Sequence, residues 1–205
     1  MDREQRRTEI LKAAEDVFAR LGYHGAGIAD IIDRAGVARG TFYLYFESKR
    51  HVFEQLLDKF FEIIRSQVRR IDVSRGPDAV LEQIRGNATR VIDAILLHRS
   101  LGKILLSEAV GLDEECDEKL LSFYARLLAL IEGALRLGID GGIVRPCDPR
   151  VVALCILGTM KEVLYHGIMK PNDLPRETLA EEILQYNLRG LLRPGGVSQT
   201  RDGGL

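Results

Sequence analysis

Cysteine is scarce in this 205-residue sequence, and its three thiols, Cys116, Cys147 and Cys155, form no metal or disulfide pattern. None belongs to a Cys-x-x-Cys pair, and no histidine stands at the spacing of a zinc ligand. An odd number of cysteines also argues against a framework of disulfides. We therefore predict no metal site and interpret the three residues as reduced, structural thiols, with a redox switch as the alternative.

Long apolar runs are missing as well. The longest nearly apolar stretch, Val151 to Met160, is shorter than the roughly 20 residues that a transmembrane helix needs. Residues 1–7 are mostly polar and lack the apolar segment of a secretory signal. We expect a cytoplasmic protein with no membrane partner.

Motifs of catalysis are also absent. The sequence has no Gly-x-Ser-x-Gly elbow, no His-Glu-x-x-His pair and no glycine loop that cradles a phosphate. Spacing therefore assembles neither an activated nucleophile nor a metal centre. We predict no catalytic residue and no cofactor, and hence no enzyme.

An excess of positive charge is missing too, since the formal net charge is -1. Residues 1–55 hold nine basic and nine acidic side chains. A contact with nucleic acid must therefore depend on where charges lie, and the candidates are three residues near the motif described next and three at the N-terminus. These are Arg39, Lys49 and Arg50, and Arg3, Arg6 and Arg7.

The most informative feature present is a pair of short helical patterns joined at Gly36. Upstream, Ile28, Ile31, Ile32 and Ala35 repeat at helical spacing, and Gly36 suits a left-handed helix cap. Downstream, Phe42 and Phe46 share one helical stripe, whereas Arg39, Gly40, Tyr43 and Leu44 point mostly elsewhere. Two short helices around a tight glycine turn predict a helix-turn-helix motif.

At these residues the chain resembles the TetR family of one-component transcriptional regulators. The resemblance lies in Gly22-Tyr23 and in the run from Ala35 to Lys49, about a quarter of the chain. The sequence departs from the family pattern in three places. Ala26-Gly27 replaces a hydroxyl pair, Ile32 replaces an alanine, and Ala38 replaces the serine that caps the recognition helix, although Gly27 is an acceptable cap.

The second helix of such a motif enters the major groove, so its early residues are the candidates for base contacts. Arg39 suits a bidentate contact to guanine, and Gly40 lets the backbone approach the groove. Thr41, Tyr43 and Leu44 offer hydroxyl, ring and methyl contacts to bases and sugars. The resemblance implies phosphate contacts by Thr41, Tyr45 and Lys49. The alternatives are a merely solvated Arg39 and a Tyr43 that packs against the first helix.

The remaining periodicity predicts an all-α protein, in which an N-terminal three-helix DNA-binding domain is joined by a long helix to a helical ligand-binding and dimerisation domain. The predicted domains are residues 1–47 and 48–192, and a tail, residues 193–205, is expected to be disordered. Asp2 is expected to cap the first helix, which ends at Gly22, and Ser48 the long fourth helix, which runs toward Val68. Further helices are predicted over 77–99, 101–110 and 120–138, from Pro149 onward, and over 176–192.

The helix after Pro149 is apolar almost all round, which predicts burial on every side. With the apolar last helix, it suggests a four-helix contact between two protomers about a two-fold axis. The alternative is that both helices are buried within one monomer.

In the resembled family a small effector binds inside the second domain. The apolar residues assigned to it are Phe60, Ile64, Leu105, Tyr124, Leu128, Ile156, Met160 and Leu164, with His98, Glu108, Lys161 and His166 as polar anchors if they face inward. Their mostly aliphatic character suggests a hydrophobic or amphipathic compound.

These features together predict a homodimeric, ligand-responsive transcriptional regulator, most simply a repressor. It would bind a palindromic duplex operator and be released by its effector. The alternative is a helical carrier or enzyme for a hydrophobic small molecule, in which the helix-turn-helix is incidental.

Overall fold

The computed structural model describes residues 3–107, 114–169 and 175–192. These residues form helices and no strands, apart from a single bridge between Val144 and Leu192, and the all-α prediction is confirmed. The helices are α1 Arg3–Gly25, α2 Ile28–Ala35, α3 Arg39–Tyr43, α4 Lys49–Gln67, α5 Pro77–Leu97, α6 Arg99–Ser107, α7 Glu114–Asp140, α8 Pro149–Met169 and α9 Arg176–Leu191, with a 3-10 turn at Val73–Arg75.

The first helix changes direction at Gly22, where φ is 72°, and one further turn carries the chain to Gly25. This kink places Tyr23 in the core, where its ring lies 5.7 Å from that of Phe18 and 4.8 Å from that of Phe53 on α4. The long helix α4 begins as predicted. The Ser48 hydroxyl accepts a hydrogen bond from the backbone N–H of His51.

One buried cluster runs from Ile10 on α1 to Ile183 on α9 and crosses the predicted domain boundary at residue 47. The first turns of α4 complete the core of the helix-turn-helix region, and its later turns pack against α5 and α7. Helix α6 packs on α1. Helix α4 is therefore shared by both parts of the molecule.

A group of charged residues fixes α4 against α7. The guanidinium of Arg126 lies 3.6 Å from the centroid of the Phe61 ring and 2.8 Å from the carboxylate of Asp58. Lys119 pairs with the same carboxylate at 3.1 Å. These contacts hold the middle of α4 in one position relative to α7.

Helix α7 continues past Gly138, its predicted end, to Asp140. Gly138 serves close packing instead, because a Cβ at this position would lie 2.6 Å from the Val144 side chain. The chain reverses at Gly142, two residues after the end of α7, where φ is 73°.

Helix α8 begins as predicted, with the Asp148 carboxylate accepting hydrogen bonds from the N–H groups of Arg150 and Val151. It continues beyond Met160, and over Pro149–Ile168 it has the length and apolar composition of a membrane span, a property it shares with core helices of soluble proteins. The expectation that no segment reaches that length was therefore wrong.

The predicted burial of α8 on every side was also wrong for the single chain. Val151, Leu154 and Cys155 are exposed. By contrast, α9 buries its leucines and Ile183 within the same chain, against α5 and α8. The alternative, burial within one monomer, therefore holds for the inner face of α9. Helix α8 keeps an apolar face that the described part of the same chain does not cover.

Several predicted features lie outside the described residues. These are the Asp2 cap, the end of α6 near residue 110, the anchor Glu108, the side chain of Cys116 and the tail 193–205.

Candidate nucleic-acid interface and effector core

The turn between α2 and α3 has the predicted left-handed cap. Gly36 has φ 64° and ψ 37°, and its N–H donates to the carbonyl of Asp33. The N–H of Val37 donates to the carbonyl of Ile32, which satisfies a second free carbonyl at the end of α2. The glycine conformation therefore sets the angle at which α3 leaves α2.

The start of α2 has only one of the two hydrogen bonds of a capping box, because glycine at the N-cap has no side chain to accept the other. Gly27 is the N-cap, and its N–H donates to the Asp30 carboxylate at 2.7 Å. At the next helix, Ala38 is the N-cap and supplies no side-chain acceptor. The first N–H groups of α3 thus receive no capping side chain from Ala38.

The segment from Arg39 to Phe46 has two chemically different faces. Helix α3 ends at Tyr43, so Phe46, which was predicted to share a helical stripe with Phe42, lies beyond the helix. Phe42 and Phe46 are completely buried, with ring centroids 5.9 Å apart. On the other face, Tyr43 and Leu44 are 43% and 73% exposed. Arg39 and Gly40 are exposed on the same helix. One side of this segment is therefore packed in the core, and the other side is left uncovered.

Arg39 lies at the first position of α3, and its guanidinium is 5.9 Å from the centroid of the Tyr43 ring. The Tyr43 ring also meets Phe42 edge-on at 5.4 Å. Gly40 has no atom within 4 Å of the position that a Cβ would occupy. This part of α3 therefore offers a cation, a ring edge and an open stretch of backbone.

The residues with implied phosphate contacts are less exposed. Thr41 and Tyr45 are half-buried, and Tyr45 packs against the main core. The Lys49 ammonium donates to the carbonyl oxygens of Tyr23 at 2.8 Å and Ala26 at 2.9 Å. Its nitrogen also lies 4.4 Å from the centroid of the Tyr23 ring. Lys49 thus makes contacts inside the protein, and these compete with the phosphate contact that the resemblance implies.

The other basic candidates have acidic or aromatic neighbours. Arg6 pairs with Glu9 at 2.8 Å, and Arg50 with Glu54 at 3.1 Å. Arg7 lies over the Phe46 ring at 5.5 Å. The positive charge around the motif is therefore modest, as the balanced composition indicates.

Two different clusters contain the residues proposed to bind an effector. Phe60, Ile64, Leu105 and Leu164 are buried in the main core, and Tyr124 and Met160 pack against it. Leu128 and Ile156 instead pack in a smaller cluster around Leu135, Val144 and Ala153. The structure thus brings six of the eight residues together.

The polar anchors are placed differently from one another. Lys161 is half-buried, and its ammonium lies 5.9 Å from the centroid of the Tyr124 ring. His166 is exposed and 3.3 Å from Glu162, and His98 is half-buried at the C-terminus of α5. Burial raises the pKa of Tyr124 to about 12. The Tyr124 hydroxyl is neutral at physiological pH, as it would be at its ordinary pKa of 10.0, and burial disfavours its charged form further.

Sequence reasoning missed an open cleft of about 500 Å³ where α1, α2 and α6 meet. Arg34 pairs there with Asp16 at 2.6 Å, and Arg20 and Ser100 also line it. These residues lie far apart in the sequence, so no local motif marks the cleft.

Comparison with known proteins gives two family matches. The model for bacterial regulatory proteins of the tetR family matches residues 10–56, and that for the tetracyclin repressor-like C-terminal domain matches residues 77–191. Together they cover most of the chain.

Individual relatives agree with these matches. The structure of the fatty acid degradation regulator FadR from Bacillus halodurans has a TM-score of 0.77 and 28% identity, over 94% of this chain and 100% of that one. The transcriptional repressor KstR2 from Rhodococcus jostii is 27% identical over 92% of each chain. FadR from Bacillus subtilis, solved with stearoyl-CoA, shares the fold with a TM-score of 0.74 at 24% identity, over 89% of this chain and 98% of that one.

Proposed function

The chain belongs to the TetR family of bacterial transcriptional regulators, and we propose that it acts as a dimeric repressor, released from a palindromic operator by a long-chain acyl effector. The observation that carries the proposal is the burial of Phe42 on α3 and of Phe46 just after it, while Arg39, Gly40, Tyr43 and Leu44 stay uncovered. A helix fixed by its inner face presents its outer face in one orientation, which recognition of a base sequence needs.

On this proposal, α3 enters the major groove. Arg39 contacts a guanine, Gly40 allows close approach, and Tyr43 and Leu44 contact bases or sugars. Thr41 and Tyr45 lie at the edge of α3 and are proposed to contact phosphates. Lys49 has its first role in holding the corner that precedes α2.

The uncovered face of α8 is proposed as the dimer contact. Val151 and Leu154 are 57% and 51% exposed, and the adjacent Cys155 is exposed as well. Gly158 continues this face, with nothing within 4 Å of its Cβ position, so a second helix can approach closely. On α9, which packs against α8, Tyr186 is also exposed. A two-fold contact through this face gives two recognition helices for two related half-sites.

The effector class is proposed from the core. Among the described residues no polar or charged residue is buried, so the second domain offers a long hydrocarbon an apolar environment. The similarity to a fatty acid degradation regulator supports an acyl chain. Binding among α4, α6, α7 and α8 would shift α4, which packs in both parts of the chain, and so move α3. The cytoplasm is the location that fits a regulator of this kind.

Selection from a random duplex library tests the DNA-binding half. We expect enrichment of a palindromic or nearly palindromic sequence, and no enrichment would favour the alternative of a carrier or enzyme. Calorimetric titration of stearoyl-CoA into the free protein and into its operator complex tests the second half. Because coupling between two sites is reciprocal, a releasing effector must bind the complex more weakly. Equal affinities would identify stearoyl-CoA as cargo.

A further inference from the structure

The hydroxyl of Tyr124 on α7 is buried without a hydrogen-bond partner, and within the described part of the chain it is the one buried side-chain nitrogen or oxygen in this condition. Buried polar groups are nearly always paired, because an unpaired one loses its hydrogen bonds to water and gains none in return. An exception in a domain with an otherwise apolar interior points to a partner from outside the chain.

The surroundings of the ring define what that partner can be. Tyr124 packs against the main core, and its ring meets that of Phe123 edge-on at 5.7 Å. The hydroxyl is protonated and has a hydrogen to donate, so a hydrogen-bond acceptor satisfies it. The Lys161 ammonium lies over the ring, 5.9 Å from its centroid. This nearby positive charge disfavours a cationic head group and favours an electron-rich oxygen.

We propose that the Tyr124 hydroxyl donates a hydrogen bond to the polar head of the effector, an oxygen at the end of a long hydrocarbon chain, with Lys161 as the supporting positive charge. This inference rests on the acyl effector proposed above. Two sources supply such an oxygen, the thioester carbonyl of an acyl-CoA and the carboxylate of a free fatty acid. The hydrocarbon would lie among Phe60, Met160 and Leu164, which belong to or pack against the same cluster.

The substitution Tyr124→Phe removes the hydroxyl and keeps the ring. Without ligand, we expect a higher melting temperature than in the wild type, because an unpaired buried hydroxyl is lost. A lower melting temperature would mean that the hydroxyl has a partner within the protein, and would overturn the proposal. The control is Tyr165→Phe on α8, which makes the same chemical change at another half-buried ring. We expect it not to raise the melting temperature.

Binding is measured by calorimetry with stearoyl-CoA, its S-octadecyl thioether analogue and stearic acid. If the acceptor is the thioester carbonyl, Tyr124→Phe lowers the affinity for stearoyl-CoA about tenfold, which is about 1.4 kcal/mol. Its affinity for the thioether analogue stays the same as that of the wild type. If the acceptor is a carboxylate, the loss falls on stearic acid, and Lys161→Met weakens stearic acid further. Tyr165→Phe should bind all three ligands like the wild type.

The outcomes separate this anchor from the function on which it rests. Wild-type binding with unchanged affinities in Tyr124→Phe would overturn the anchor and leave the acyl effector in place. Failure of the wild type to bind any of the three compounds would overturn the acyl effector, and the anchor with it.

Discussion

The Lys49 ammonium and the Tyr23 backbone form a link between the start of α4 and the corner before α2. The ammonium donates to the Tyr23 carbonyl at 2.8 Å, and the nitrogen lies 4.4 Å from the centroid of the Tyr23 ring. A second hydrogen bond of 2.9 Å reaches the Ala26 carbonyl. Because Tyr23 is itself packed against Phe53 on α4, a movement of α4 would carry this corner with it.

The first prediction concerns Lys49→Gln. We expect it to lower the free energy of unfolding by about 2 kcal/mol, because hydrogen bonds made by a charged donor are lost. The dependence of DNA affinity on salt should stay close to that of the wild type, since the ammonium already has partners inside the protein. Denaturant titration and DNA binding at several salt concentrations measure both. A smaller salt slope, by about 0.9 for one contact, with unchanged stability would establish the phosphate contact instead.

Arg39→Ala tests base recognition. We expect a loss of about 1 to 3 kcal/mol on the selected operator, relaxed discrimination at one base pair in each half-site, and little change on scrambled DNA. Competition binding with the operator and a scrambled duplex of the same length measures the ratio of the two affinities. Arg136→Ala, on the surface of α7, is the control for loss of one positive charge and should bind like the wild type. Equal losses on both duplexes would remove Arg39 from the base contacts.

A pair of glycine variants separates folding from binding on the two sides of the turn. Gly40→Ala should raise the free energy of unfolding by about 0.5 to 1 kcal/mol, since alanine favours the helix and its Cβ meets nothing within 4 Å. Operator affinity should nonetheless fall, because the methyl group enters the space that DNA would occupy.

Gly36→Ala is the matched control for Gly40→Ala. It should lower stability by about 1 to 2 kcal/mol, because φ is 64° at this position, and keep operator affinity well below the melting temperature. Thermal unfolding and DNA titration of both variants check the pair. Unchanged DNA affinity in Gly40→Ala would place this residue outside the interface.

The helix-turn-helix was predictable because its signals are local. The stripe of α2, the glycine at its end and the pair Phe42 and Phe46 lie within 20 residues, and each reports burial or backbone conformation directly. The Ser48 cap was predictable for the same reason. Family resemblance added the roles of the exposed residues, which periodicity does not supply.

Other features depend on residues that meet only after folding. The contact of Lys49 with two carbonyls needs the Gly22 kink, and the cleft beside Arg34 needs α6 to pack on α1. The end of α7 was misplaced because Gly138 serves packing against Val144, six residues later, and not termination. The apolar composition of α8 predicts that its faces are covered, but composition does not say whether the covering surface comes from the same chain, and Val151 and Leu154 are exposed in the single chain.

The dimer contact gives the fourth prediction. Leu154→Arg should convert a dimer to a monomer, because an unpaired charge would be buried between two α8 helices. Sedimentation velocity measures the change, and Cys155 should then react faster with a thiol reagent, since it shares the face. Leu97→Arg, at a leucine that is 79% exposed at the end of α5, is the matched control. An unchanged dimer in Leu154→Arg would place the contact elsewhere.

The last prediction follows from the raised pKa of Tyr124 and needs no ligand. Its pKa is about 12 in the folded chain, against an ordinary value of 10.0. Between these values the unfolded chain loses this proton and the folded chain keeps it, so the folded state binds more protons. The free energy of unfolding must therefore fall as pH rises through this window. Below pH 10 the ionisation of Tyr124 contributes no such pH dependence.

Tyr124→Phe lacks the ionisable hydroxyl, so its free energy of unfolding should fall less than that of the wild type between about pH 9 and pH 11. Urea titrations at the two pH values measure the difference, and the other titrating groups are common to both proteins and cancel. Parallel curves for the wild type and Tyr124→Phe would mean that the hydroxyl is hydrated in solution, which would remove the physical basis for its role as a buried donor.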